Sequence, residues 1–183
     1  MLGAGKMATS AKRYLRLNRE KNFPYLTRQL YEVTDNETND YNCIGLAAGD
    51  KTRWWEPEPS GQYYWPIPNR EYTVRCYTEA FESLGYQKCI CSLKKRSFEK
   101  VAIYHDPLGC VEAIDNFGMW HPEVLPKTPT HAAKQLPSGE WNSKLGGWEE
   151  IKHKTLSCLN GTDITGKRIS YGKPIQILKR PLK

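Results

Sequence analysis

The sequence has no apolar run that approaches ~18–20 residues, so no segment is predicted to cross a membrane. It also has no internal repeat and no low-complexity tract, and its N-terminus lacks the apolar core of a signal peptide. We therefore expect a protein that is cytoplasmic, or that is delivered by a route needing no signal peptide. Apolar residues make up 39% and charged residues 26% of the chain, the balance of a globular domain.

Metal-ligand patterns are missing as well. Cys89 and Cys91 are separated by one residue rather than by the two of common zinc sites, and no histidine pair follows at ligand spacing. We expect no metal and no other cofactor. Without an export signal, the six cysteines are expected to be reduced thiols.

The excess of positive charge leaves one binding function open. The net charge is +7 and the pI is near 9.1, so the surface can attract nucleic acid or other anions. Basic residues cluster only in the segments Lys12–Arg19, Lys94–Arg96 and Lys179–Lys183. A non-catalytic basic module that binds nucleic acid or a protein partner is therefore the alternative function, although no nucleic-acid-binding motif supports it.

Helices are predicted mainly in the first half of the chain. Residues 1–33 are expected to form a helical arm, helix-rich over 8–33, and residues 34–183 the main domain. The periodicity of Val74, Tyr77, Ala80, Phe81 and Leu84 predicts a helix over 73–85. Four prolines in RWWEPEPSGQYYWPIPNREY, residues 53–72, exclude a regular element there.

Strands follow in the second half. We predict a strand over 99–105, a hairpin over 130–147 around Pro137-Ser138-Gly139, and a last strand over 173–180. Residues 106–129 are expected to be irregular, with a turn of helix near Val111–Asn116. Helices followed by strands indicate an α+β fold with an antiparallel sheet.

Cys43 stands where a second helix is predicted to begin, in NDYNCIGLAAGD. Asn39, Asp40 or Asn42 could each cap this helix. The free N–H groups of a helix start stabilise a thiolate, which is the nucleophilic form of cysteine. Gly45 costs about 1 kcal/mol relative to alanine inside a helix, which predicts close packing of this helix against the sheet.

A cysteine nucleophile needs a base, and the chain offers four histidines. His105 ends a predicted strand, His121 lies in the long irregular segment, and His153 is expected to be solvated between two lysines. His131 lies on the first strand of the hairpin, and the two alanines after it leave room for another element to approach. His131 is therefore the preferred partner of Cys43.

The stretch Asn42-Cys43-Ile44-Gly45-Leu46 resembles the Asp-Cys-Ser-Gly-Leu signature of NlpC-like cysteine peptidases, and CHAP amidases are similar. The resemblance implies a papain-like fold, in which N-terminal helices and a nucleophile helix pack on an antiparallel sheet. It also implies a histidine on a strand and a third polar residue about twelve positions later. These places fall on His131 and Ser143. Ile44 and Asn42 depart from the signature.

The hairpin register decides which residue orients the histidine. If Leu136 pairs with Glu140, His131 and Ser143 share a face, whereas a shift of one residue brings Asn142 and Lys144 there instead. A different alignment would place Lys100, which opens Lys-Val-Ala-Ile-Tyr, at the position of the histidine and leave the fold inactive. The hairpin favours His131.

A second resemblance is to an uncharacterised domain family with NCIAWA, RWW, KVAIY, HAARQL and WTSKLG blocks. The matching residues are Asn42–Ala47, Arg53–Trp55, Lys100–Tyr104, His131–Leu136 and Trp141–Gly146. This likeness implies a single domain family and supplies no activity.

The residues together predict a cysteine hydrolase or acyltransferase, either a peptidase, an amidase or a deamidase. Cys43 would attack an acyl carbon, His131 would transfer the proton, and the N–H of Cys43 and the side chain of Asn42 would bind the oxyanion. Substrates would be peptides, peptidoglycan or proteins, and a bacterial effector or toxin is one setting. The predicted walls of the substrate groove are aromatic: Tyr41, Trp54, Trp55, Tyr64 and Trp65.

Overall fold

The computed structural model describes residues 12–106, 111–114, 120–123, 128–161 and 171–182. They form a mixed α+β fold. The strands are β1 (Tyr31–Asp35), β2 (Gln87–Cys89), β3 (Phe98–His105), β4 (Val111–Ile114), β5 (Trp120–Glu123), β6 (Pro129–Gln135), β7 (Trp141–Lys144), β8 (Glu150–His153) and β9 (Lys173–Pro181). Seven of them form one antiparallel sheet in the order β1-β8-β7-β6-β3-β9-β2, and β4 pairs with β5 separately. The predicted α+β class with an antiparallel sheet is thereby confirmed.

Helices are few and short. The described residues contain α1 (Leu17–Glu20), α2 (Cys43–Ala48), α3 (Val74–Ser83) and a 3-10 turn at Leu156–Leu159. The predicted helix over 73–85 is confirmed, since the Thr73 side chain caps α3 by accepting from the N–H of Cys76, and Gly85 follows the helix with φ 86°. Residues 53–72 contain no helix or strand, as their prolines predict.

The middle of the sheet is covered on both faces. Val101, Ile103 and Ala132 pack on one face with α2 and α3, while Ala102 and Ala133 pack on the other face with residues of the N-terminal segment. Adjacent residues of a strand point to opposite faces, so two cores arise from a single strand pair. Alanines at this place allow both layers to approach the sheet closely.

The hairpin prediction is confirmed in detail. The N–H of Leu136 donates to the carbonyl of Glu140 at 2.8 Å, and Gly139 provides the positive φ of 93° that the turn requires. Gln135 lies opposite Trp141, which fixes the register that brings His131 and Ser143 to one face. The long strands at 99–105 and 173–180 are also present, as β3 and β9.

The predicted helical arm is wrong in its secondary structure. Residues 12–33 contain one helix of four residues, and β1 spans the predicted boundary at 33/34 by pairing with β8. Leu15, Phe23 and Leu26 are buried in the core of the domain. Their irregular spacing gives no clean helical face, because the segment follows the sheet surface rather than forming its own helix.

The predicted turn of helix near Val111–Asn116 is also wrong where the structure describes it. Residues 111–114 form β4, which pairs with β5 from Val111–Glu123 to Ile114–Trp120. The rest of the irregular segment predicted over 106–129 lies largely outside the described residues. Across the described ranges, no helix is long and apolar enough to cross a bilayer.

Gly45 is explained by a loop rather than by the sheet. A Cβ added at Gly45 would lie 2.9 Å from the carbonyl oxygens of both Asp50 and Arg53, and 3.2 Å from the Trp55 ring. The predicted close contact therefore exists, but its partner is the chain that folds back over α2. This contact places Trp55 beside the start of the helix.

We predict that Gly45→Ala lowers the free energy of unfolding by about 1–3 kcal/mol, because backbone oxygens cannot move aside without displacing the loop. Urea unfolding followed by circular dichroism measures the change. Gly161→Ala is the matched control, since a Cβ there meets no atom of the described residues within 4 Å. Equal stability of the two variants would contradict the close approach.

Candidate active site

Cys43 is the first residue of α2, and Asn42 is its cap. Of the three predicted cap residues, Asn42 performs this role: its Oδ1 accepts from the N–H of Gly45 at 3.0 Å. The helix has six residues and ends at Gly49 in the left-handed region. The thiol is half-buried and faces a cleft.

The side chain of Asn42 also holds the next loop. Its Nδ2 donates to the carbonyl of Trp55 at 2.8 Å, and its Oδ1 accepts from the Trp55 N–H at 3.3 Å. This carboxamide is buried and is used for capping and for positioning Trp55. The Nδ2 of Asn42 therefore donates to Trp55 and is not available to an oxyanion. The backbone N–H groups at the helix start are the remaining candidates for that role.

The thiol of Cys43 lies where β6 and β7 separate. Along β6, the N–H groups of Leu136, Lys134 and Ala132 point toward β7, because alternate residues of a strand share a hydrogen-bonding edge. Lys134 and Gln135 pair with β7, whereas Ala132 does not. The free N–H of Ala132 acts instead on the Cys43 sulfur.

Cys43 is a neutral thiol in the resting protein. Burial raises its pKa to about 11, against the opposing effect of the backbone N–H groups of Ala132, Ile44 and Cys43 itself. The negative charge of Glu56 raises the pKa further. A preformed thiolate is therefore absent at neutral pH, and the sulfur needs a base to become a nucleophile.

His131 is fully buried one residue away from Ala132. Its Nε2 lies 2.9 Å from the Ser143 Oγ, the contact expected for the register in which Leu136 pairs with Glu140. The imidazole stacks on Tyr171 with ring centroids 4.1 Å apart and meets the edge of Tyr104 at 5.3 Å. Burial lowers the pKa of His131 well below 6.5, so the ring is neutral.

The hydrogen bonds continue from Ser143 to His153. Ser143 Oγ is 2.9 Å from the Nε2 of His153, whose Nδ1 is 2.8 Å from the Thr155 carbonyl. The sequence predicts a solvated His153, which is wrong: this residue is fully buried. Alternation in Glu-Ile-Lys-His places His153 on the same face as buried Ile151, a signal that the flanking lysines obscured.

This chain of contacts fixes every proton in it. The Thr155 carbonyl can only accept, so His153 carries its proton on Nδ1 and its Nε2 accepts from the Ser143 hydroxyl. Burial lowers the pKa of His153 to about 4, which keeps the ring neutral. Ser143 Oγ then accepts from the Nε2–H of His131. The Nδ1 of His131 is left with its lone pair.

That Nδ1 is buried and has no hydrogen-bond partner among the described residues. Cys43 and His131 are not hydrogen-bonded to each other in the structure. Helix α2 packs over the face that bears Ala132, whereas the His131 side chain lies on the face of Ala133. The link between the two residues is β6 itself, since the N–H of Ala132, the residue after His131, acts on the thiol.

Asn142 and Lys144, the alternatives to Ser143, lie on the other face of β7. Asn142 donates to Glu150 at 2.8 Å. The buried ammonium of Lys144 donates to three backbone carbonyls, at 2.9 Å to those of Thr38 and Gly146 and also to that of Trp148. The predicted orienting role is therefore wrong for both residues, since neither contacts His131.

The predicted groove is partly correct. A cleft of about 310 Å³ contains Cys43 together with Trp54, Trp55, Glu56, Tyr72 and Tyr171. Tyr41 is instead buried against Glu150, to which its hydroxyl donates at 2.8 Å, and Trp65 is buried in the core against Tyr77. Tyr64 packs on the edge of Trp55 outside the lining. Glu56, Tyr72 and Tyr171 are the cleft residues that the sequence did not indicate.

The remaining candidates lie away from this cleft. His105 approaches the Thr128 carbonyl through Nδ1 at 2.9 Å, and the side chain of His121 lies outside the described residues. Lys100 donates to the carbonyls of Cys91 and Leu93, so it supports a loop.

The five cysteines in the described ranges are free thiols, and these ranges contain no group of His, Cys, Asp and Glu residues able to hold a metal. A cleft of about 520 Å³ at Tyr25 and Cys158 contains none of the predicted site residues.

Residues 32–179 match a protein family described as "Domain of unknown function (DUF7689)". The chain belongs to this family. No curated protein and no solved structure matches the chain significantly. The DUF7689 match covers Cys43, His131, Ser143 and His153, and the family carries no assigned activity.

We predict that the two buried histidines make the fold sensitive to mild acid. Their pKa values are lower in the folded protein than in the unfolded chain, so the unfolded chain binds more protons below pH 6.5 and stability falls as the pH falls. Each histidine contributes a slope of up to about 1.4 kcal/mol per pH unit, giving a loss of roughly 3–4 kcal/mol between pH 7 and pH 5.

Urea unfolding at pH 7 and pH 5 measures this loss in a range where carboxylates remain mostly ionised. His153→Gln removes one of the two titrating groups and should reduce the pH dependence by about half, whatever its effect on absolute stability. A free energy of unfolding that stays constant between pH 7 and pH 5 would show that the histidines are not buried in neutral form.

Proposed function

We propose that the protein is a cysteine hydrolase or acyltransferase that uses Cys43 as nucleophile and His131 as general base on an amide or related acyl substrate. The observation that carries this proposal is the lone pair on the Nδ1 of His131, which Ser143 and His153 fix and which has no hydrogen-bond partner among the described residues, one position along β6 from the Ala132 N–H that acts on the thiol. A buried nitrogen without a partner costs stability, and a role in proton transfer gives a reason for it.

The reaction begins from a neutral pair. As Cys43 attacks the acyl carbon, its proton passes to the Nδ1 of His131, and the sulfur forms the new bond. The thiol and the Nδ1 of His131 are not hydrogen-bonded at rest, and the proposal requires that the pair closes when substrate binds, as catalytic pairs often do. The N–H groups of Cys43 and Ile44 at the start of α2 would stabilise the developing oxyanion.

The second half of the reaction returns the proton. Protonated His131 gives its proton to the leaving amine as the carbon–nitrogen bond breaks, which leaves an acyl group on the sulfur. Water, or another amine in an acyltransferase, then releases the acyl group and restores the thiol. Ser143 and His153 support the cation, since the Nε2–H of His131 stays bonded to an oxygen whose own proton points toward His153.

The papain-like interpretation of the fold is part of the same proposal. It is supported by a cysteine at a helix start, a histidine on a strand of an antiparallel sheet, and the contact of that histidine with Ser143. The substrate is proposed to be a peptide, peptidoglycan or protein amide, and peptidase and deamidase activities are distinguished by the product. An effector or toxin role belongs to the same proposal.

We predict that Cys43→Ala and His131→Ala each abolish hydrolysis, by about 10³-fold or more for the nucleophile and 10²–10⁴-fold for the base. The purified protein is incubated with peptidoglycan, with a denatured protein and with glutamine-containing peptides. New free amines report cleavage, released ammonia reports deamidation, and hydroxylamine trapping reports the thioester. Circular dichroism verifies that both variants are folded.

Cys89→Ala is the matched control, because Cys89 is a free thiol on the edge strand β2 and does not line the cleft that contains Cys43. Loss of activity in this variant, or full activity in Cys43→Ala, is incompatible with the proposal. Absence of both turnover and trapped thioester across all three substrate classes would favour the non-catalytic alternative.

We predict a smaller effect for Ser143→Ala, about 10–100-fold in kcat, with little change in KM. Without the hydroxyl, His131 and His153 both lose their Nε2 partner, and the tautomer of His131 is no longer fixed. The pH profile of kcat should change together with its magnitude, and Ser143→Thr should restore part of the activity. A loss confined to KM would assign Ser143 to substrate binding instead.

A further inference from the structure

Glu56 is the acidic residue of the cleft that holds Cys43, and its carboxylate is fixed there. One oxygen accepts from the Tyr72 hydroxyl at 2.9 Å, and the other accepts from the Trp54 Nε1 at 2.9 Å. The backbone is fixed too, since the N–H of Glu56 donates to the Tyr64 carbonyl at 3.1 Å and the N–H of Tyr64 donates to the Trp54 carbonyl at 3.2 Å. The carboxylate is thus positioned before any ligand binds.

Both donors to this carboxylate are neutral. Among the described residues, Glu56 forms no ion pair with a lysine or arginine, and no basic side chain lines the cleft. Each carboxylate oxygen has further lone pairs beyond the one used. The negative charge is therefore fixed but not neutralised within this part of the protein, despite the net charge of +7.

Aromatic rings complete the surroundings of the carboxylate. Trp54, Trp55, Tyr72 and Tyr77 line the same cleft, and the faces of such rings attract cations. A carboxylate next to aromatic rings is a chemical match for an ammonium group carried on an apolar chain. An anionic group would be repelled, and a purely apolar group would leave the charge of Glu56 unpaired.

We propose that Glu56 and the aromatic wall around it bind an alkylammonium group of the substrate. This inference rests on the proposed function, in which the cleft beside Cys43 binds the substrate. It adds the chemical class of that substrate. Binding also affects the nucleophile. The charge of Glu56 contributes, after burial, to the raised pKa of Cys43, so an ammonium group that neutralises it makes the thiol easier to deprotonate. Binding of the cationic substrate thus favours formation of the Cys43 thiolate that attacks it.

The indole N–H of Trp54 provides a direct test, because it donates to Glu56. Its signal in a ¹H–¹⁵N spectrum, assigned with Trp54→Phe, is followed during titration with N-acetyl-lysine methylamide and with the neutral analogue N-acetyl-norleucine methylamide. We expect saturable shifts with the lysine compound and at least tenfold weaker binding of the norleucine compound. Equal binding of the two compounds to the wild-type protein would overturn the proposal without any substitution.

Two variants test the residue itself. Glu56→Gln should weaken binding of the lysine compound at least tenfold, whereas Glu58→Gln, in a half-buried acid of the same loop that does not line the cleft, should leave it unchanged. Unchanged binding in Glu56→Gln, or an equal loss in both variants, would also overturn the proposal. Tyr72→Phe keeps the carboxylate and should still bind.

A second set of compounds separates the sources of the ammonium group. Alanine methylamide carries a free chain N-terminus, and the lysine compound carries a side-chain amine. Stronger binding of the first assigns the site to a peptide N-terminus, and stronger binding of the second assigns it to a lysine-like side chain. Absence of saturable binding by both compounds contradicts the proposal. The titration measures binding and needs no turnover, so a negative result contradicts the ammonium site at Glu56. An unchanged rate of hydrolysis in Cys43→Ala would instead contradict the proposed hydrolase.

Discussion

The hydrogen-bond chain from His131 through Ser143 and His153 to the Thr155 carbonyl is the interaction on which the candidate site depends. All three side chains are fully buried, so each proton must have one defined place. The direction of the whole chain is set at its far end by a carbonyl, which can only accept. The carbonyl oxygen of Thr155 at one end of the chain therefore determines that the Nδ1 of His131, at the other end, carries no proton.

The start of α2 provides the second constraint. Asn42 caps the helix that begins at Cys43 and also binds both backbone groups of Trp55. Gly45 allows the same loop to lie against the helix without a Cβ between them. Asn42 and Gly45 thus position both the thiol and one wall of its cleft. Their contacts with the loop stabilise a six-residue helix that has little intrinsic stability.

The separation of β6 and β7 joins these two constraints. In a continuous sheet the N–H of Ala132 would pair with β7 and would not be available to the sulfur. Because the pairing ends at Lys134, this N–H acts on the Cys43 thiol, while the neighbouring His131 points to the other face of the sheet. Tyr171 covers this histidine by stacking and also lines the cleft, so the imidazole is separated from solvent.

Local sequence predicted the helix at Cys43, the helix at Val74–Ser83, the strands at 99–105 and 173–180, and the hairpin at 130–147. Each of these depends on neighbours within about a dozen positions: a cap, a glycine, an alternation or a Pro-Ser-Gly turn. The sequence left two registers of the hairpin open, and the contact of His131 with Ser143 belongs to the one that the structure has. Tertiary structure decided the rest, because burial depends on chain segments that are far apart in sequence. His153 lies on the face of β8 that bears Ile151, where Leu156, Leu159 and the N-terminal segment complete the core. Glu56 enters the cleft since Asn42 and Tyr64 fold its loop back over α2.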